Sequence, residues 1–184
     1  IRTWGWTIQE IGLAYGVLTL ISGPLAVIAA AKTSEAFSRR GYQDAHMRTA
    51  LWGSLIGIVF AVATPLMPHP YLSLIMLLPV SVGTSAATAA GLAALMMVTP
   101  NQMRAQTSAV YFFVVNILGL TVGPTGIALF TDYVFRDDAM LRYSVASVSV
   151  MAGLFAAGFL VYNLRHYAAS YEEAKNWAED SADG

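Results

Sequence analysis

The sequence predicts an all-α polytopic membrane protein with five transmembrane helices, and three observations carry that prediction. Of the 184 residues, 57% are hydrophobic and 11% charged, where soluble domains carry roughly 25% charged residues. The charges are also segregated: residues 11–31, 49–71, 72–103, 105–131 and 143–164 contain no Asp, Glu, Lys or Arg. Each run is near or above the roughly 20 apolar residues that an α-helix needs to cross a bilayer core. Finally, soluble helices keep a polar face, and these runs do not.

Taken in order, the first span covers residues 8–31 and the second 48–67. Pro68, His69 and Pro70 read as a tight turn into a third span at 71–99. The fourth span is placed at 103–131 and the fifth at 140–165, so that residues 1–166 form the transmembrane domain. Residues 167–184 change character: they are polar and acidic, with Glu172 and Lys175 at helical pair spacing. This tail is expected to be a short surface helix that frays, on the solvated side of the membrane.

The connecting segments orient the chain. Lys32, Arg39, Arg40 and Arg48 follow the first span, Arg104 follows the third, and Arg165 and Lys175 follow the fifth. The other side holds only Arg2, Arg136 and Arg142. Lys and Arg collect on the cytoplasmic side, which predicts a cytoplasmic C-terminus in a plasma (bacterial inner) membrane. Five spans then put the N-terminus outside, and a chain that starts at Ile1 leads us to expect a missing N-terminal part of a longer protein.

Other classes are excluded by composition. A net charge of −1 makes no case for nucleic acid, which would show as a basic patch. Without cysteine there is no disulfide, thiolate metal site or catalytic thiol. His46, His69 and His166 are read as loop and span-end residues whose spacing does not resemble a metal site. No metal or cofactor is expected.

The chain also repeats itself. "LISGPLAVIAA" (20–30) and "LTVGPTGIALF" (120–130) share a Leu, a Gly-Pro and a small apolar run. Further on, "WGSLIGIVFAV" (52–62) is similar to "AGLFAAGFLVY" (152–162), with Gly53 matching Gly153 at the same offset of 100 residues. The two Gly-Pro spans should cross the membrane in opposite senses. Similar units of opposite orientation form an inverted repeat, the architecture of secondary transporters. The repeat further predicts that a helix equivalent to 71–99 precedes Ile1, making a three-plus-three unit.

"TPNQMRAQTSAVYFFVVNILGLTVGPTGIALFTD" (99–132) resembles the stretch joining the tenth and eleventh helices of the major facilitator superfamily. The shared features are a proline, an Arg followed by small residues, an Asn, a G-x-x-x-G-P and a closing Asp. The Spinster-like branch looks closest. The segment "AKTSEAFSRRG" (31–41) is similar to a degraded form of the family's cytoplasmic loop signature, with Glu35, Arg39 and Arg40 kept in kind and Ala31 and Ala36 replacing a Gly and an Arg. The resemblance implies helices eight to twelve of a six-helix half-bundle. It implies a transporter whose partners are membrane lipid, a small organic or lipid-like solute and the N-terminal half of the same protein.

Small residues have a physical purpose in such a chain. Lipid tails are as apolar as Leu, so helices associate through close backbone packing. Gly12/Gly16, Gly53/Gly57 and Gly119/Gly123 are expected to be packing faces. Pro24, after Gly23, and Pro124 remove a backbone donor and are expected to kink their helices.

Candidate solute contacts are polar groups at membrane depth. Ser81, Ser85 and Thr88, with Thr84 beside them, recur at helical spacing in the third span, and the resemblance places that span against the central cavity. The other reading is that these hydroxyls bond their own helix. Asn116 is either a ligand group or an interhelical hydrogen bond, and Tyr15 and Tyr111 are either ligand hydroxyls or interface anchors. For energy coupling, Glu10 is the candidate acid, although an ordinary interfacial carboxylate is the competing reading.

A secondary transporter working by alternating access is the leading expectation, as symporter or antiporter, and no enzyme activity is expected. The alternative is a non-transporting scaffold or an intramembrane enzyme. An enzyme would place a nucleophile and base, or metal ligands, within its spans, and these spans lack buried His, Asp and Glu.

Overall fold

The computed structural model describes residues 7–136 and 140–180, with side chains described through most of that range. Its helices are α1 (Ile8–Arg39), α2 (Ala45–Ala63), α3 (Pro70–Met97), α4 (Arg104–Ile117), α5 (Gly123–Leu129) and α6 (Leu141–Asp180). Short 3-10 turns close α2 at Thr64–Leu66 and lead into α4 at Asn101–Met103. Wider π-helical segments come after α4 (Leu118–Val122) and after α5 (Phe130–Phe135). No strand occurs among the described residues. Among the described residues, five helical rods are long and apolar enough to cross a membrane: α1, α2 with its closing turn, α3, the α4–α5 rod, and α6 as far as Leu164.

The packing is inverted relative to a water-soluble domain. Ala26, Ala30, Ala50, Ala86, Ala90 and Ala94 are buried, while Leu20, Leu120, Leu154 and Phe155 are exposed. Ala26 is 0% exposed and Phe155 is 78% exposed, an arrangement that suits a hydrocarbon solvent and would aggregate in water. The bundle is held by stripes of small residues three or four apart. On α1 the stripe is Ser22, Ala26, Ala30 and Ser34; on α2 it is Ala45, Thr49, Gly53 and Gly57; on α3 it is Gly83, Ala86, Ala90 and Ala94. Such stripes let backbones approach closely where burial alone provides no drive.

α2 and α3 approach each other closely through their backbones. A Cβ added to Gly53 would lie 2.8 Å from the Gly83 carbonyl oxygen, and one added to Gly83 would lie 2.8 Å from the Gly57 backbone nitrogen. α2 also receives α6, where Gly153 faces the side chain of Ile58. α1, α2, α3 and α6 thus form the packed body. The α4–α5 rod lies at its edge, and no residue from 104 to 130 is buried.

The glycine expectations divide accordingly. Gly53 and Gly57 pack as their spacing suggested, whereas added Cβ atoms on Gly12, Gly16, Gly23, Gly119 and Gly123 would meet nothing within 4 Å. Within this chain those five glycines are not contact positions. The two prolines differ as well. Pro24 lies inside an uninterrupted α-helix, while Pro124 is the second residue of α5, which follows a π-helical segment.

Three boundaries move. Residues 31–39, expected to lie in a loop, are the last two turns of α1, because nothing before Gly41 (φ +85°) breaks the helix. His46, expected in the same loop, lies in the first turn of α2. The tail, expected to be a short surface helix that frays, continues α6 without a break as far as Asp180, and residues 181–184 lie outside the described residues. The tight turn at Pro68–Pro70 is present, with Pro70 opening α3 and the Ser73 hydroxyl donating to the Thr64 carbonyl at 3.1 Å.

Candidate functional site

The hydroxyl-bearing face of α3 is the first candidate. Gly83, Ala86, Ala90 and Ala94 mark the packed side of that helix. At about 100° per residue, Ser81, Ser85 and Thr88 fall on the opposite side, away from α1 and α2. Ser85 is exposed and the other two are partly so. The chain therefore leaves this face open.

Its hydroxyls are only partly available to a ligand. Thr84 Oγ1 donates to the Val80 carbonyl at 2.8 Å, and its methyl lies 3.0 Å from where a Cβ on Gly57 would sit. Thr84 thus serves the α2 contact. Thr88 Oγ1 donates to the Thr84 carbonyl at 2.9 Å. Such bonds satisfy a hydroxyl that lipid would leave unpaired.

The other candidates take structural partners. Tyr111 reaches from α4 to α3, its hydroxyl donating to the Thr88 carbonyl at 3.0 Å. Asn116 Nδ2 donates to the Phe112 carbonyl of its own helix at 2.8 Å rather than to another helix. Tyr15 is exposed on α1. Glu10 closes a capping box, its carboxylate accepting from the Thr7 backbone N–H at 2.9 Å and the Thr7 hydroxyl at 2.8 Å. That exchange satisfies orphan groups at a helix start.

The second candidate lies at the end of the bundle where α1, α3 and the transmembrane part of α6 finish and α2 begins. A cleft of about 260 Å³ there is lined by Ser34, Tyr42, His46, Met97, Tyr167 and Tyr171, among others. The Ser34 hydroxyl and His46 Nδ1 lie 2.9 Å apart and tie α1 to α2. Tyr167 is buried, and its hydroxyl donates to the Ala94 carbonyl at 3.0 Å, tying α6 to α3. Burial, aided by Tyr171 and Asp44, pushes the Tyr167 hydroxyl up to about 12, so it keeps its proton and remains a donor.

Among the described residues, two ion pairs sit at this end. Arg48 Nε donates to Asp44 Oδ1 at 2.7 Å, and its guanidinium lies 4.0 Å from the Tyr42 ring centroid. Glu35 pairs with Arg39 at 2.7 Å on the exposed side of α1, so two of the three signature residues bind each other. Arg40 caps the helix, its backbone N–H donating to the Phe37 carbonyl at 3.1 Å. Sequence reasoning missed Tyr167, Asp44 and the Ser34–His46 contact. Ser34 could have been found from the four-residue stripe, but Tyr167 lies in a segment whose composition suggests only a polar tail.

A nucleophile–base pair needs a third group to orient the base, and the Asp44 carboxylate is held by Arg48. No cluster of three metal-ligating side chains occurs among the described residues. The chain offers hydroxyls and carbonyls that can hydrogen-bond a neutral polar group, beside wide apolar surfaces.

Among the described residues, five apolar spans, four of them packed into one body, define an all-helical integral membrane protein. No protein-family model, curated protein or solved structure gives a significant match to the chain.

Proposed function

We propose that the chain is one half of a secondary transporter that moves a small organic or lipid-like solute by alternating access, in the manner of the major facilitator superfamily and its Spinster-like branch. The observation that carries this reading is the opposed direction of the two Gly-Pro spans. Short connections join successive rods, and Tyr167 of α6 meets Ala94 of α3 at the end where Ser34 of α1 lies. α1, α3 and α6 therefore run one way, and α2 and the α4–α5 rod run the other. Pro24 and Pro124 travel in opposite senses, as an inverted repeat requires.

On this reading the open face of α3, with Ser81 and Ser85 as its hydroxyls, borders a solute path completed by the other half of the same protein. The end bearing Arg39, Arg40, Arg48 and Arg104 faces the cytoplasm of a plasma (bacterial inner) membrane, and the end of α6 lies there too. The coupling ion then binds outside these spans, since Glu10 is engaged as a helix cap.

Solute flux into vesicles containing the full-length protein tests the proposal. Ser85→Trp, on an exposed position that should not disturb folding, is expected to cut flux at least tenfold. Unchanged flux would remove the α3 face from the path. No flux of any solute would leave the scaffold reading.

A further inference from the structure

The α4–α5 rod is built differently from the other four. Its two ends are attached to different helices: Tyr111 is hydrogen-bonded to Thr88 of α3 at 3.0 Å, and Gly126 lies where an added Cβ would be 3.6 Å from Val148 of α6. Between these attachments lies the π-helical segment Leu118–Val122. Leu118, Leu120 and Val122 are exposed, and added Cβ atoms on Gly119 and Gly123 would meet nothing within 4 Å. The segment is joined to both anchors and packed against neither.

Pro124 explains its position. Proline supplies no N–H to the carbonyl four residues back, here that of Leu120, and its ring crowds that carbonyl. A wider turn relieves the crowding, and π-bulges inside α-helices occur frequently at functional sites. The repeat provides an internal control. Pro24 occupies the equivalent place in α1, yet α1 stays regular, with buried Ser22 and Ala26 on either side of the proline packed into the body. The same Gly-Pro is thus regular where its flanks are packed and π-helical where they are not.

We propose that Leu118–Val122 is a two-state joint, switching between π and α turns and re-aiming residues 123–135 while α4 stays pinned to α3. Loss of one residue from the wide turn rotates α5 by about 100° relative to α4 and shifts it by about 1.5 Å along the axis. The Gly126–Val148 contact belongs to the π state and is exchanged in the α state. Tyr111 holds in both.

This equilibrium exists without solute and stands apart from transport. The chain has no cysteine, so spin labels can be placed in pairs on an otherwise native background. One pair, Val59→Cys with Tyr133→Cys, reports across the joint; the other, Ile28→Cys with Val110→Cys, reports on α4 below it. In lipid vesicles the first pair is expected to give two distance populations that collapse to one with Pro124→Ala. The second pair is expected to give one population throughout. A single population for the first pair in the parent, a double one that survives Pro124→Ala, or equal broadening of both pairs would overturn the proposal.

Discussion

The Tyr167 hydroxyl donates to the main-chain carbonyl of Ala94 at 3.0 Å, joining α6 to α3 across 73 positions of sequence. It closes the charged end of the bundle at a point where both residues are buried. Removing the donor with Tyr167→Phe keeps the ring and takes this hydrogen bond from the carbonyl. The expected cost is about 1 kcal/mol, read from equilibrium unfolding in mixed detergent micelles.

The same hydroxyl predicts a pH dependence. Its folded value is pushed up to about 12, above the ordinary tyrosine value of about 10. A raised value means that the folded state favours the protonated form, so the contribution is fully present below about pH 10 and is lost as pH rises towards 12. Unfolding measured at pH 9 and pH 12 should show a larger loss for the parent than for Tyr167→Phe. Equal losses would show that the hydroxyl is not buried.

Glycines that look alike in sequence should respond differently. Gly53→Val drives a side chain into the Gly83 carbonyl and the Ala87 backbone nitrogen, at 2.8 and 3.0 Å from the first added atom. Backbone cannot move aside cheaply, so a loss at the upper end of the 1–3 kcal/mol typical of overpacking is expected. Gly12→Val meets nothing within 4 Å and should fall within about 0.5 kcal/mol of the parent. Thermal unfolding of the two variants side by side checks the contrast.

The two ion pairs should separate in the same way. Asp44 is buried and held by Arg48, whereas Glu35 and Arg39 are both exposed. Arg48→Ala strands a carboxylate and removes a cation from the Tyr42 ring, at an expected cost of about 2 kcal/mol. Arg39→Ala is expected to cost less than about 1 kcal/mol. Comparable losses would mean that Asp44 reaches water.

The five spans could be read from the sequence because charge is excluded from hydrocarbon, so their positions stand out as charge-free runs. Their ends could not. Residues 32–40 carry Lys32, Glu35, Arg39 and Arg40 and look like a loop, yet α1 runs through to Arg39, because a charged helix is stable once it leaves the lipid. The packing stripes were only partly legible. Gly53 and Gly57 stood out, but the longer series Ser22, Ala26, Ala30 and Ser34 uses residue types that attract no notice singly. Gly12/Gly16 and Gly119/Gly123 illustrate the converse, since spacing says what could approach and not what does. Asn116 was conspicuous as a polar residue at membrane depth, and its Nδ2 finds an acceptor in its own helix at 2.8 Å.

The central claim is that the two Gly-Pro spans traverse the membrane in opposite senses, and labelling single cysteines from each side tests it most directly. In sealed vesicles, Ser38→Cys beyond the membrane end of α1 and Asp132→Cys near the end of the α4–α5 rod would each be exposed to a membrane-impermeant maleimide. One should react only from the cytoplasmic face and the other only from the opposite face. Reaction of both from the same face would contradict the mirror-related arrangement and the transporter reading built on it.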